Sequence, residues 1–240
     1  MKILDDLVFT LNLEVGVREI RQGPFQTAVF TRSCGLASTP HDHARHQDHA
    51  PVKEAGSLTE IGMLKLVQMA CSASPLEAAI GMAAINSLLE IDEGRCVEVN
   101  AGDLIAEKGR DKKIAIIGHF PFVARLRQLS KELWVIERRL REKDLGEEEA
   151  ENLVPQADVV GITGTAFINH TIEHLLSLCR PDAYVVVLGG TAPLSPVLFD
   201  YGVDAISGTK VDQPEVVLHC VSQGATFRQL KGVRLLTMKR

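Results

Sequence analysis

The segment KIAIIGHFPFVARLRQLSKELWVIE, residues 113–137, determines the fold prediction for this chain. It begins with a short continuous apolar run, KIAIIG, which is typical of a strand buried on both faces of a sheet. A segment with helical periodicity, PFVARLRQLS, follows, and a second apolar run, LWVIE, ends the stretch. This order predicts two parallel strands joined by a helix.

The same alternation continues toward the C-terminus. We predict further strands at ADVVGITG (157–164), AYVVVLGG (183–190) and AISG (205–208). We predict helices at the acidic segment EEEAENL (147–153), at NHTIEHLLSLC (169–179) and at PEVVLHCVSQG (214–224). Repeated strands and helices predict an α/β fold with a doubly wound, mostly parallel sheet.

The first hundred residues have a different pattern. Residues 15–38 contain two or three short β-rich runs, which predict an antiparallel meander. A helix capped by Ser57 or Thr59 and a second helix beginning at Pro75 are predicted to follow. Strands followed by helices are typical of an α+β domain.

The change of pattern divides the chain into two predicted domains. We expect an α+β domain over residues 1–99 and a parallel α/β domain over residues 100–240, with a polar linker at residues 92–111. Residues 138–151 contain six acidic and four basic side chains, and such a run favours a solvated surface.

Composition excludes several classes of function. The chain has 240 residues, of which 45% are hydrophobic, and its formal net charge of −5 argues against nucleic acid as a partner. Five scattered cysteines without a CxxC pair indicate reduced thiols in a cytoplasmic protein, and Cys34 is expected to be buried. We expect no signal peptide and no membrane insertion, because no apolar run approaches the ~20 residues needed to span a bilayer.

Polar residues follow each predicted strand of the parallel sheet. They are Gly118-His119-Phe120, Glu137-Arg138, Thr163-Gly164-Thr165 and Gly189-Gly190-Thr191. Ligands of open parallel sheets bind outside the carboxyl ends of the strands, so we expect these residues to contact a small polar or anionic ligand.

Two of these residues, His119 and Glu137, are candidate catalytic residues. His119 is expected at the start of a helix, where the neutral imidazole is favoured. Glu137 lies 19 residues after Gly118, the spacing at which dinucleotide folds place an acid on a ribose hydroxyl. A standard NAD site is disfavoured, because HFPFV replaces the glycine-rich fingerprint after Gly118.

Further polar residues surround the start of the next predicted helix: Thr163, Thr165, Asn169 and Thr171. Free backbone N–H groups at a helix start bind anions. Simple capping of the helix by Thr165 or Asn169 explains the same residues equally well.

Half of the eight histidines lie in one segment, PHDHARHQDHAP, residues 40–51. They are His41, His43, His46 and His49. Imidazole and carboxylate ligands suit zinc, nickel, cobalt or iron, so a transition-metal site is one interpretation. A solvated polar loop with weak, unspecific metal binding is the other.

Several segments together resemble a family of heavy-metal chelation proteins. They are EAAIGMAAINSLL (77–89), IAIIGHFPFVARL (114–126), ADVVGITGTAFINHTIEHLL (157–176) and VVVLGGTAPLSPVLFDYGVDAISGTKV (185–211). The resemblance implies an N-terminal domain like that of enolase, a C-terminal Rossmann-like domain, and a ligand site in the cleft between them.

The resemblance also implies a set of ligand-binding residues: Asn86, His119, Phe120, Glu137, Thr163, Thr171, Gly189 and Pro193. Together with the residues at the strand ends, the predicted cofactor-binding set adds Gly118, Arg138, Gly164, Thr165 and Asn169. The segment LGGTAPLSP departs from the Gly-Pro start that is usual for this turn in the family.

Our leading hypothesis is a small polar ligand, with or without a transition metal, bound in the interdomain cleft for metal chelation or for synthesis of a chelator. One alternative is a transferase that uses a nucleotide or S-adenosylmethionine. Another is a non-catalytic module that binds a small anion. A homodimer is one candidate assembly of this chain.

Overall fold

The computed structural model describes residues 1–40 and 50–240. In these ranges the strands are β1 (Glu19–Gln22), β2 (Gln26–Phe30), β3 (Cys34–Ser38), β4 (Cys96–Val97), β5 (Lys113–Ile117), β6 (Glu132–Ile136), β7 (Val159–Thr163), β8 (Tyr184–Leu188), β9 (Ala205–Val211) and β10 (Val233–Lys239). The helices are α1 (Lys2–Phe9), α2 (Met63–Gln68), α3 (Pro75–Leu88), α4 (Ala101–Lys108), α5 (Val123–Leu129), α6 (Ala150–Leu153), α7 (Thr165–Ile168), α8 (Ile172–Leu178) and α9 (Pro214–Ser222). Short 3-10 helices supplement them at Met69–Cys71, Glu93–Arg95, Glu147–Glu149, Val154–Gln156, Pro196–Tyr201 and Phe227–Gln229.

The larger sheet has the strand order β6-β5-β7-β8-β9-β10-β4. The five strands from β6 to β9 are parallel, whereas β10 and β4 are antiparallel additions at one edge. The apolar runs of the sequence form the buried centre of this sheet, as in β7, where Val159, Val160 and Ile162 are fully buried. The prediction of a doubly wound, mostly parallel sheet is confirmed.

The strand order creates a topological switch point. β5 pairs with β6 on one side and with β7 on the other, so the chain leaves β5 toward one edge of the sheet and later returns on the opposite side. The connections on the two sides diverge at this point, which opens a crevice outside the carboxyl ends of β5 and β7.

The smaller sheet, β1-β2-β3, is the predicted antiparallel meander. Four consecutive residues are buried in β2 and four in β3, so both faces of this sheet are covered. Val29 and Ala37 pack in the same core cluster as helix α3. On the other face, Ala28 and Leu36 pack against α9, which belongs to the C-terminal half of the chain.

Glycine allows the close contacts of this sheet and of α3. At Gly35 a Cβ atom would lie 2.1 Å from the carbonyl oxygen of Ala83 in α3. At Gly81 it would lie 1.9 Å from the amide nitrogen of Ala70. Small residues in α3 therefore let neighbouring backbone approach closely.

Hydrogen bonds also join the two halves. Asn86 donates from Nδ2 to the carbonyl oxygens of Leu36 (2.8 Å) and Thr191 (3.2 Å). The Thr191 hydroxyl accepts a bond from the Ser38 amide (2.9 Å). The two halves therefore meet through a polar bridge as well as an apolar core.

The structure differs from the sequence predictions in three places. Helix α2 begins at Met63 and its N-cap residue is Gly62, so neither Ser57 nor Thr59 caps it. Residues 92–111 are not a linker, since they form β4 and α4. Strand β10 was not predicted, although it pairs with β9 on one side and with β4 on the other.

Helix α1 packs against the C-terminal half of the chain. The Ile3 amide donates to Glu173 Oε1 (2.7 Å), and the Tyr201 hydroxyl donates to Asp6 Oδ2 (2.5 Å). The domain boundary near residue 99 stays a prediction, since β4 also joins the larger sheet.

Two further expectations concern burial and membranes. Cys34 is buried, as predicted, and burial raises the pKa of its thiol to about 12, with the nearby Glu215 charge adding to the rise. The thiol is therefore protonated at neutral pH and unreactive. In the described part of the chain, no helix is both long and apolar enough to cross a bilayer.

The contact between β3 and α3 generates a stability prediction. Gly35→Ala is expected to lower the free energy of unfolding by about 2–3 kcal/mol, because the added methyl group overlaps backbone atoms of α3 that cannot rotate away. Urea unfolding followed by circular dichroism measures the change. The matched control is Gly16→Ala, where no heavy atom lies within 4 Å of the added Cβ; an equal loss in both variants would contradict the packing argument.

Candidate functional site

A cavity of about 350 Å³ lies at the switch point of the larger sheet. Gly118, directly after β5, and Thr163, at the end of β7, line the cavity on the side of the sheet. Its other walls contain His119, Phe120, Glu137, Arg138, Glu147, Glu151, Thr165, Asn169, Thr171 and His174. The structure thus brings together most of the residues predicted from the strand ends.

Gly118 makes the turn after β5. It has φ +100°, a conformation that L side chains rarely adopt, and a Cβ atom there would lie 3.0 Å from the Cβ of Thr163. Glycine at this position therefore allows the chain to turn sharply away from the sheet beside Thr163. The turn places His119 and Phe120 in the cavity wall.

His119 is held by a carboxylate that the sequence did not single out. Its Nδ1 lies 2.9 Å from Oδ2 of Asp144, whose side chain is 0% exposed, while the His119 side chain is 21% exposed. The carboxylate accepts, so the Nδ1 of neutral His119 carries the proton and Nε2 keeps its lone pair. Nε2 has no partner among the described residues.

This arrangement corrects the predicted location of His119. Helix α5 begins at Val123, so His119 lies in the preceding loop and not at a helix start. The tautomer of the imidazole is therefore set by the side chain of Asp144 and not by a helix dipole.

The charged run at residues 138–151 positions Asp144. The Leu145 amide donates to the carbonyl oxygen of Val135 (2.7 Å), and the Glu137 amide donates to that of Leu145 (2.9 Å), so the chain returns to the edge of β6. Lys143 has φ +71°, a strained conformation for a residue with a side chain, directly before Asp144. The interpretation of this run as a solvated surface is therefore wrong for Asp144, whose side chain is buried beside His119.

Glu137 follows the last residue of β6 and faces the cavity. Its Oε1 accepts bonds from the amides of Arg138 (2.8 Å) and Arg139 (3.4 Å). Arg138 forms an ion pair with Glu147 (2.7 Å) across the same cavity. These contacts fix the Glu137 carboxylate at the end of the strand.

Hydroxyl groups form the opposite wall. The hydroxyls of Thr163 and Thr165 lie 3.0 Å apart, and Asn169 and Thr171 extend this polar surface. The predicted helix that this cluster precedes is α8 (Ile172–Leu178), which has seven residues and Thr171 at its N-cap. Neither Thr165 nor Asn169 caps it with a side chain, and a separate short helix, α7, lies before it.

Acidic groups outnumber basic ones in this cavity. Glu137, Glu147 and Glu151 line it together with one guanidinium, Arg138. His174 is paired with Glu151 at 2.7 Å. The surplus of carboxylates favours ligands with positive charge or with hydrogen-bond donors.

A larger cleft of about 850 Å³ adjoins the cavity, and both halves of the chain line it. Gln26 and Thr39 contribute from the smaller sheet, and Glu137, Arg138 and Thr165 are shared with the cavity. The side-chain oxygen Oε1 of Gln26 is buried, and no described residue donates a hydrogen bond to it.

Some predicted residues lie elsewhere. Asn86, Gly189 and Pro193 line neither the cavity nor the cleft. Asn86 bridges the two halves, Gly189 makes a turn with φ +114°, and Gly164 packs against the backbone of Ala192, which a Cβ would approach to 2.4 Å.

The predicted metal ligands of the N-terminal half are not described by the structure. His41, His43, His46 and His49 lie outside the described residues. Within residues 1–40 and 50–240, no group of three or more His, Cys, Asp or Glu side chains is placed to hold a metal ion. The described residues therefore do not fit a metal site made by the protein alone.

The structure is that of a two-part α/β protein with a cavity at the switch point of its parallel sheet. Comparison with known proteins identifies the family and agrees with this fold. Two family models match, DUF364 over residues 100–239 and DUF4213 over residues 7–89, and both have the description "Putative heavy-metal chelation". The chain belongs to the DUF364 family.

Relatives support the family and the fold. An uncharacterised protein of Methanocaldococcus jannaschii is 30% identical over 176 residues, which cover 68% of this chain and 67% of that protein. A DUF364 protein of unknown function from Desulfitobacterium hafniense has a TM-score of 0.88 at 22% identity, and one from Pyrococcus horikoshii has 0.83 at 21%. Each comparison covers 100% of this chain and 98% of the other.

The contact between His119 and Asp144 generates a prediction about the imidazole. In wild-type protein whose His119 imidazole is neutral, ¹⁵N NMR is expected to show the ring proton on Nδ1. Asp144→Leu removes the acceptor and keeps the branched shape of the side chain, so the Nδ1 proton loses its stabilisation and the Nε2–H form is expected to predominate.

Asp144→Asn is the conservative control, because its side-chain oxygen still accepts from Nδ1 and is expected to retain the wild-type tautomer. An unchanged spectrum in Asp144→Leu would show that this carboxylate does not orient His119.

Proposed function

We propose that this protein binds a small polar ligand in the switch-point cavity and serves heavy-metal chelation, either by binding a chelating molecule or by taking part in its synthesis. The single observation that supports this best is the position of His119, which faces the cavity with one nitrogen held by the buried Asp144 and the other available to a ligand. Family membership supplies the link to heavy metals.

The charges of the cavity narrow the ligand class. Three carboxylates and one guanidinium favour amino and hydroxyl groups over a small anion. The hydroxyls of Thr163 and Thr165 add hydrogen-bonding partners that serve as donors or acceptors. We therefore favour an amine- or hydroxyl-bearing chelator over the alternative of a small-anion module.

Metal-free probes test this proposal. Diethylenetriamine, L-histidine and citrate are added separately to protein in EDTA, and thermal unfolding and NMR shifts are recorded. The amine-bearing probes are expected to perturb cavity resonances, and at a concentration of about 100 Kd binding adds about 2.7 kcal/mol to the free energy of unfolding.

Thr165→Val is expected to weaken this binding by about 1 kcal/mol, because it removes a hydroxyl and keeps the shape. Thr59→Val, at an exposed position outside the cavity lining, is the matched control and is expected to bind like wild type. If none of the probes perturbs the cavity, the proposed ligand class is wrong.

A second candidate function, a transferase that uses a nucleotide or S-adenosylmethionine, is favoured by Glu137. This carboxylate lies directly after β6, where its second oxygen is available to a ribose hydroxyl. The adjoining cleft of about 850 Å³ has room for a nucleoside.

ATP, adenosine and S-adenosylmethionine in a thermal-shift experiment test this candidate. If it is correct, one of them raises the melting temperature of wild type, and Glu137→Ala abolishes the shift, whereas the exposed control Glu60→Ala retains it. Absence of any shift, or an equal shift in Glu137→Ala, removes the support for a nucleoside site.

A further inference from the structure

The cavity combines one well-oriented metal donor with too few donors to hold a metal ion. Zinc sites in proteins use three or four protein ligands, with water or substrate at the remaining position of catalytic sites. The described residues contain no such group. A bare ion is therefore not retained by these residues, although the family is described by heavy-metal chelation.

His119 nevertheless has the environment of a metal-binding imidazole. Histidines that bind metals through one ring nitrogen generally donate the other N–H to a carboxylate or carbonyl, which fixes the ring and raises its basicity. Nδ1 of His119 has this contact with Asp144, and Nε2 is available at the cavity wall. Among the described residues, the buried second oxygen of Asp144, Oδ1, has no hydrogen-bond partner, while Oδ2 is bonded to His119 and accepts from the Arg141 amide.

The charge and size of the cavity favour a compact cation. Glu137, Glu147 and Glu151 face a volume of about 350 Å³ and are opposed by one arginine. A metal ion coordinated by a small neutral chelator keeps its positive charge. Such a complex is small enough for a cavity of this volume, which lies in the lower part of the range for protein ligand pockets.

We infer that the cavity binds a heavy-metal ion as a preformed cationic chelate, in which Nε2 of His119 fills the one coordination position that the chelator leaves open. Water leaves that position, and the lone pair of Nε2 replaces it. The other donors come from the chelator, and the carboxylates of the cavity balance the charge. This inference rests on the proposed function, because it identifies the bound small molecule as a metal chelate.

Two copper complexes test the inference. Cu(II)–diethylenetriamine is a dication and Cu(II)–nitrilotriacetate is an anion, and each leaves one equatorial position open on the tetragonal ion. The experiment uses the full chain with His41, His43, His46 and His49 replaced by alanine, so that this segment does not compete for copper. Titration gives the affinity, and electron spin-echo spectroscopy counts the coordinated imidazoles.

The triamine complex is expected to bind with one coordinated imidazole and at least about tenfold more tightly than the anionic complex, a difference that reports the charge of the cavity. Free Cu(II), without a chelator, is not expected to bind preferentially at His119. His119→Ala is expected to lose the tight binding, whereas His219→Ala, at an exposed position on α9, retains it. Asp144→Leu is expected to weaken it about 10-fold, as the loss of an outer carboxylate does at other metal-bound histidines.

Three results would overturn the inference: binding of the triamine complex that is unchanged in His119→Ala, two or more coordinated imidazoles, or a preference for the anionic complex. Circular dichroism confirms that each variant is folded. Metal-free diethylenetriamine, measured in parallel, separates the two proposals. If it binds in the cavity while the copper complex does not use His119, the inference fails and the proposed function stands; if neither binds, both fail.

Discussion

Burial of the small antiparallel sheet on both faces determines the arrangement of the whole molecule. One face packs with α3 and the other with α9, so the N-terminal strands occupy a core to which the C-terminal half contributes. Small parts of a chain bury too little apolar surface to be stable alone, and a shared core removes that difficulty. The relative position of the two halves, and with it the cleft between them, is therefore set by close packing.

The site is built where this packing leaves room. Parallel strands β5 and β7 end at the same edge, and their connections diverge, so residues far apart in the chain surround one cavity. The walls come from rigid strand ends on one side and from the loop after β6 on the other. Backbone hydrogen bonds from Leu145 and Glu137 attach that loop to the sheet, which explains how an exposed charged run delivers the buried carboxylate of Asp144.

Residues at strand ends were predictable because their signals are local. Apolar runs define the parallel strands, and a glycine such as Gly118 follows where the chain must turn. His119, Glu137, Thr163 and Thr165 could therefore be selected from the sequence, and all four line the same cavity in the structure. Asp144 could not, because nothing within its charged neighbourhood distinguishes it from the acids that face solvent. Asn86 was selected, but its amide joins Leu36 to Thr191 and lies away from the cavity.

The amino-acid sequence by itself determined the fold class, the order of the parallel strands along the chain and the residues that follow them, since periodicity and turn residues act over short distances. Only the tertiary structure decided that α9 covers the N-terminal sheet, that β10 and β4 extend the larger sheet, and that Asp144 orients His119. Each of these depends on segments that are distant in sequence and meet only when a shared core excludes water. The chemistry of the cavity belongs to that second group, because the tautomer of one histidine depends on a carboxylate 25 residues away.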